Sequence, residues 1–471
     1  MAESPRMPAG IGEAFQSFVA ELQDKRRPNT EDLSSCDPSS ARTIVQIAQS
    51  LSGEYAPRSR SKARASLEEL RRHAHTAMAE STAGLQARGW RRIYTDSCIL
   101  LAYADVLEHW YSKEEHHALS AIAQLDHAIV IAGAAGEGRL DLVLDLIEGI
   151  QSECLNSPSA FRRDLSFVPP QEQTLRDLPQ DLLTASQSVP RFDTPPSLAS
   201  FISRLSRYPF VLPGFLRDWP ALNEHPWRSL DYLRAVAGPG RIVPVEVGSD
   251  YRSDDWSQEM MPWEDFLDSL AAPSGPRPVL YLAQHSLFKQ FPALQGDVII
   301  PDYVYSSLDP PEDYPHYAPP GNDEQLVLNA WLGPAGTVSP AHTDPFFNFY
   351  AQVVGRKTIW LAPPEASLYM YPYPSTSSDP LSQPPTEGDA PRNPAANHES
   401  PSMSNTTQVD VFLSSPEHLE KSRSSFPGFW EKVVPSAMSV TLEPGDLLFF
   451  PPGWWHAMRS EDLSFSVSMW F

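Results

Sequence analysis

Two residues within the stretch 329–364, NAWLGPAGTVSPAHTDPFFNFYAQVVGRKTIWLAPP, restrict the fold more than anything else in the chain. They are His342 and Asp344, two positions apart in a run of apolar and aromatic residues. Successive side chains of a strand alternate faces, so positions i and i+2 point the same way. An imidazole and a carboxylate are therefore aimed at one point. A second histidine, His456, follows a strand-like apolar run and a Pro-Pro-Gly turn in LEPGDLLFFPPGWWHAM, residues 442–458. A fold that uses all three has to bring together strands far apart in the chain.

Two histidines and one carboxylate on one face, with the opposite coordination positions open, is the arrangement that holds non-haem Fe(II) for oxygen chemistry. Thirteen residues after Asp344 comes Lys357, in the apolar strand KTIWLA. A lone ammonium there is costly to bury without an anionic partner, and the remote carboxylate of 2-oxoglutarate would be that partner. Each group has a plainer reading when taken singly. An HxD pair arises often by chance, Lys357 alone suits a solvated strand position, and His456 suits a core histidine with Trp454 and Trp455 packed around it. Their joint register argues for a metal site.

The HTD string, Asn348, Lys357, His456 and the closing LSFSVSMWF resemble the Jumonji-C (JmjC) family of Fe(II)- and 2-oxoglutarate-dependent oxygenases. VPVEVGSDYRSDDWSQ (243–258), YLAQHSLF (281–288) and NAWLGPAGTVSPAH (329–342) look like one branch of it, and the likeness covers roughly 188–471. The resemblance implies a double-stranded β-helix, the cupin or jelly-roll barrel. It implies Fe(II) held by His342, Asp344 and His456, with 2-oxoglutarate chelating through its 2-oxo acid end and Lys357 on its far carboxylate. It adds Tyr281, Ser339 and Asn348 as hydrogen-bonding partners of the co-substrate and Trp470 packing beside His456. O2 takes the remaining position, and succinate and CO2 leave.

The substrate-binding candidates are Glu246, Tyr251, Trp256, Trp331 and Gln284, all in strings that match the branch. A carboxylate with aromatic walls suits a guanidinium or alkylammonium, and arginine's planar fork favours it over lysine. The tryptophans suit core packing equally well. The branch implies a hydroxylase acting on an arginyl residue of a protein or peptide substrate. The runner-up is a histone methyl-lysine demethylase, because hydroxylating an N-methyl group releases formaldehyde by the same chemistry. Two readings come from other classes. A non-catalytic interaction scaffold with a JmjC-like barrel is opposed by the presence of all three ligands and Lys357. A cupin holding another metal is opposed by the open coordination face.

Length and composition set the frame. At 471 residues there is chain enough for two domains. A formal charge of −23 argues against direct nucleic-acid binding and favours solubility and a basic peptide partner. The three cysteines, Cys36, Cys98 and Cys154, build neither a disulfide framework nor a zinc site. No signal segment opens the chain and no run of 18 apolar residues occurs. A soluble nuclear and/or cytoplasmic protein with no membrane contact is expected.

The fold class expected is α+β and multidomain. A helical N-terminal domain spans 1–165, with apolar residues at helical spacing (Ile93, Cys98, Leu101; Ile122, Leu125, Ile129; Leu140, Leu144, Ile147) and a break at GAAGEG, 133–138. Scaffolding or contact with a protein partner is its expected role. Between Arg58 and Arg92 stand nine Arg or Lys against three Glu, which reads as a solvated helix face. A linker at 166–195 leads to the JmjC catalytic domain at 196–471, with strands at 326–332, 346–354, 357–362, 437–442, 446–450 and 463–470. An insertion at 374–404, rich in proline and small polar residues, reads as disordered and without chemistry.

Overall fold

The computed structural model of the chain describes residues 9–23, 33, 36–51, 57–81, 85–155, 184–248, 250–252, 256–271, 278–374 and 403–471. The N-terminal domain is built from helices α1 (Ala9–Gln23), α2 (Pro38–Leu51), α3 (Pro57–Glu80), α4 (Leu85–Ser112), α5 (Glu115–Ala132) and α6 (Arg139–Cys154). Cys98 to Ala102 are all fully buried, so α4 has no polar face over that stretch. A helix of that kind belongs in the middle, and α4 lies between α3 and α5. Helix α5 stops where Gly133 turns left-handed (φ +69°), its N–H bonding to Ile129 O and that of Ala134 to Ala128 O. A Cβ on Gly136 would come within 2.6 Å of the Arg92 side chain. The break is thus also a slot for a buried arginine.

The basic run is a solvated face only in part: Lys62, Arg72 and Arg88 are exposed, but other arginines turn inward. Arg60 pairs with Glu108 at 3.2 Å, Arg64 with Asp105, and buried Arg92 with Asp96 at 2.8 Å. The helical period turns these arginines inward, where carboxylates on α4 meet them. No described helix is long and apolar enough to cross a membrane.

The linker also ends earlier than expected. Residues 156–183 lie outside the described residues, but 184–192 already belong to the barrel. Strand β1 (Gln187–Ser188) pairs in parallel with Met438–Ser439, Thr184 O accepts the Trp360 indole N–H, and Val189 is buried. The segment is held by backbone donation from Ser186 and Gln187 to Ala437 O and from Val189 to Ser439 O, a pairing its proline-rich flanks do not announce.

The remaining strands are β2 (Phe210–Leu212), β3 (Ile242–Val247), β4 (Ser257–Pro262), β5 (Leu280–His285), β6 (Val327–Gly333), β7 (Val338–Thr343), β8 (Asn348–Val354), β9 (Lys357–Ala362), β10 (Met438–Leu442), β11 (Leu447–Phe450), β12 (Trp455–Ser460) and β13 (Ser464–Trp470). They form two sheets, ordered β1-β10-β9-β12-β7 and β2-β11-β8-β13-β6-β5-β3-β4. The expected fold holds: a helical domain followed by a cupin barrel. In the larger sheet the register sets Asn329 against Ser468, Trp331 against Ser466, and Asn348 and Tyr350 against Trp470 and Ser468. These alternate with Phe349, Val467 and Met469, which pack outward with Phe201, Trp227 and Trp263 in a separate apolar core. Polar and aromatic side chains of this sheet thus line the barrel, together with Ile359, Leu361, Leu442 and Leu448, while Phe349, Val467 and Met469 lie outside beneath helices.

All but the edges of the insertion at 374–404 falls outside the described residues. Those edges are clasped together. Tyr373 N–H bonds to Thr406 O and Gln408 N–H to Tyr371 O, both at 3.0 Å, around an antiparallel bridge between Pro372 and Thr407. The helical domain docks directly on the barrel. The Gln151 side chain donates to Ala237 O and Pro239 O, and Gly240 leaves room for Leu119 and Ile122.

Candidate metal centre and its pocket

Strand β7 carries Ser339 and His342 and runs into Asp344, while β12 sets His456 directly opposite His342. Asp344 O accepts the N–H of Gly453, at φ +76°, where a Cβ would meet the Tyr314 ring at 2.7 Å. Only glycine allows that turn, so the Pro-Pro-Gly string positions His456 through its backbone. Alternation sends Thr343 and Trp455 outward and the two histidines in.

The ligating atoms of His342, Asp344 and His456 lie within 4.8 Å of one another. His456 Nε2 is 3.4 Å and His342 Nε2 3.9 Å from the Asp344 carboxylate. His342 Nδ1 sits 2.7 Å from Pro340 O, and His456 Nδ1 3.0 Å from Trp454 O. A carbonyl only accepts, so each Nδ1 carries the hydrogen and each Nε2 turns its lone pair toward the centre. Burial, reinforced by His456, holds His342 down to about 4 against the pull of Asp344. It is a neutral imidazole at physiological pH. Burial alone would raise Asp344, yet the closeness of the His456 and His342 rings holds it below the usual carboxylate range.

Deeper in the barrel, Lys357 is 1% exposed, and Nζ donates to Tyr350 OH at 3.0 Å and Tyr281 OH at 3.3 Å. Among the described residues it has no carboxylate partner, and burial lowers its pKa to about 7. Around it Asn348 Oδ1, Trp470 Nε1 and Asn329 Nδ2 are buried without a hydrogen-bond partner. Native interiors rarely leave such groups unpaired. One cation, unpaired donors and an open acceptor on one inner wall fit a small polar anion. The rings beside His456 are those of His342, at 4.3 Å, and Phe450, at 4.7 Å, whereas Trp470 stacks on Phe346. Trp470 therefore lines the pocket as a donor instead of packing on the histidine as expected.

At the mouth, Glu246 of β3 pairs in register with Tyr281 and is pushed up to about 7 by burial. The Trp256 indole draws it partway down, though Trp256 Nε1 makes no hydrogen bond of normal geometry. Tyr251 OH lies 3.3 Å from Thr406 Oγ1, and burial raises its pKa, with both Glu246 and Asp344 close enough to add to the effect. Glu246, Tyr251 and the triad therefore face one space. Trp331 donates its indole N–H to Ser468 at 3.0 Å and leans on Tyr281, so it is wall as well as candidate contact. Gln284 occupies a left-handed backbone position (φ +47°) at a slip in the β5–β6 register, and no described contact joins its side chain to Glu246.

Sequence reasoning missed Tyr350, Asn329 and the segment 405–407. Tyr350 and Asn329 stand two positions from Asn348 and Trp331, so strand alternation was the signal available. For 405–407 there was none. Asn405 exchanges hydrogen bonds with Thr343, and Thr406 bridges His342, which brings chain from beyond the insertion onto the metal-bearing strand.

Residues 202–471 match the model of the cupin-like domain, and the grouped His342, Asp344 and His456 could hold a metal ion in such a fold. Lysine-specific demethylase 8 of Danio rerio is 34% identical over 386 residues, 81% of each chain. Jumonji C domain-containing protein 5 of Drosophila melanogaster is 34% identical over 386 residues, 81% of this chain and 80% of its own. Lysine-specific demethylase 8 of Xenopus tropicalis is 36% identical over 294 residues, 62% of this chain and 54% of its own. The chain belongs to the Jumonji-C family, and with it to the 2-oxoglutarate-dependent iron oxygenases. The first two likenesses reach past the barrel into the helical domain.

Proposed function

We propose that the protein hydroxylates an arginyl residue of a protein substrate, with His342, Asp344 and His456 as the iron ligands. The observation that carries this reading is Glu246, a half-buried carboxylate among Tyr251, Trp256 and Tyr281 beside the triad, with no cation of its own among the described residues. A guanidinium satisfies it by a bidentate, charge-assisted pair and lies flat against the rings. Lys357, Tyr281, Tyr350, Ser339, Asn348 and Trp470 would bind 2-oxoglutarate, and Lys357 becomes fully protonated once the co-substrate carboxylate reaches it. With Fe(II) bound, the centre supplies O2 activation coupled to decarboxylation of 2-oxoglutarate. One oxygen atom then ends in succinate and the other in the hydroxylated side chain. The chain itself orients both molecules, fixes the imidazole tautomers and excludes water.

A second reading, methyl-lysine demethylation, is favoured by the names of two of the relatives above. Its product differs by loss of a methyl group and release of formaldehyde. All three cysteines are buried and none forms a disulfide, which supports a nuclear or cytoplasmic setting. The test is mass spectrometry of arginyl and methyl-lysyl peptides incubated with protein, Fe(II) and 2-oxoglutarate. Gain of one oxygen on arginine, lost in Glu246→Ala while iron binding persists, supports the proposal. Methyl loss from lysine with arginine untouched overturns it, and no succinate with any peptide points to a scaffold.

A further inference from the structure

We infer that Asp126, on α5 of the helical domain, is a positioning residue for the substrate pocket, anchoring β3, which carries Glu246, and β5, which carries Gln284. Asp126 is fully buried at the domain junction. It takes Arg241 by three hydrogen bonds of 2.7 to 3.1 Å, the backbone N–H of Ile242 at 2.9 Å and the Gln290 amide at 2.7 Å.

Two arms leave this carboxylate. The first is short: Ile242 is the opening residue of β3, and Glu246 stands four residues on along the same strand. The second is a relay. Gln290 Nε2 is occupied by Asp126 and Ile242 O, which turns Oε1 toward His285 Nε2 at 2.5 Å. That oxygen accepts, so Nε2 carries the hydrogen, and burial keeps the ring neutral with a pKa of about 4. His285 is the residue at which the β5–β6 register resumes after its slip, immediately following the left-handed Gln284. A non-glycine residue holds such a conformation only where its surroundings over-determine it. Asp126 supplies that constraint from another domain. The strands that bear the triad and Lys357 are β7, β9 and β12, and no hydrogen bond of the network reaches them.

A buried ion pair that merely docked two domains would affect stability and nothing else. Positioning predicts a split, and this prediction rests on the arginine-pocket reading above. Two variants are compared with wild type. Asp126→Asn keeps the shape, and the double variant Asp126→Leu/Arg241→Met removes both charges so that none is left buried and unpaired. The readouts are kcat/KM for an arginyl peptide, KM for 2-oxoglutarate, peptide-independent succinate formation, and amide hydrogen exchange. Peptide kcat/KM should fall about ten- to a hundredfold, the scale on which ångström misplacements act. The co-substrate readouts should fall far less, because of the residues assigned to 2-oxoglutarate only Tyr281 stands on β5, and exchange should quicken in β3 and β5 but not in β8 or β9. Wild-type peptide kcat/KM in the folded double variant, or an equal loss in the 2-oxoglutarate readouts, overturns the inference. Should wild type turn over no arginyl peptide, the arginine reading falls by itself. Exchange then still decides this one, and unchanged protection in β3 and β5 overturns it.

Discussion

The helical domain and the barrel both bury charge, and they treat it in opposite ways. In the helical domain Asp96 sits between Arg92 and Arg139, each donating Nε at 2.8 Å, and Arg139 clasps Glu21 with two further bonds. These buried charges are answered within the domain. In the barrel, among the described residues, Lys357 meets only two phenol hydroxyls and Glu246 meets no cation. Burial of an unanswered charge costs stability, so the fold carries that cost at the two positions where ligands of opposite sign would arrive. Paired burial marks architecture, and unpaired burial marks a binding site.

The sharpest way to break the comparison is at the triad. His342→Ala should abolish iron binding and lower 2-oxoglutarate turnover by orders of magnitude, as read by metal analysis and succinate release. His116→Ala, in the exposed trio Glu114, His116 and His117, whose ligating atoms also lie within 4.8 Å, should leave iron content untouched. Next comes Asp96→Ala, which leaves two buried guanidiniums without their shared carboxylate. Chemical denaturation should show a loss of about 3–5 kcal/mol. Lys357→Met should do the reverse in the ligand-free protein, raising stability by roughly 1–4 kcal/mol while calorimetry shows 2-oxoglutarate binding lost. Reduced stability of Lys357→Met would mean that the lysine is structural and that the contrast fails.

The smallest effect is in pH. Glu246 is raised from its ordinary 4.5 to about 7, so the unfolded chain releases this proton first and stability falls as pH climbs from 4.5 to 7. Lys357 is lowered from 10.5 to about 7. Its cost is present in full below 7 and is relieved as pH rises toward 10.5. Together they predict a dip in Tm near neutrality for the ligand-free protein. Glu246→Gln should flatten the acid side and Lys357→Met the alkaline side, and parallel Tm curves for wild type and variants would refute the assignment.

Much of the barrel was legible because its strands keep strict alternation and end at Gly or Pro. Strands β6, β8, β9, β10, β11 and β13 begin and end within two residues of the sequence-based bounds. The triad followed from i, i+2 spacing and the lysine from its apolar strand. What escaped was set by tertiary context. The inward turn of the arginines on α3 depends on carboxylates of another helix, and the strand character of 187–188 on a partner 250 residues downstream. The approach of 405–407 to His342 follows a segment whose composition says nothing about where it returns. Tyr350 is the instructive omission, since reading Asn348 inward commits position 350 to the same face.

The clasp joining Tyr371 and Tyr373 to Thr406 and Gln408 has one more consequence. It closes the barrel-side ends of the intervening stretch independently of what lies between, so the number and identity of those residues are uncoupled from the catalytic architecture. That makes the position a natural insertion port. An experimenter can seat a reporter or affinity handle there without disturbing the candidate metal centre.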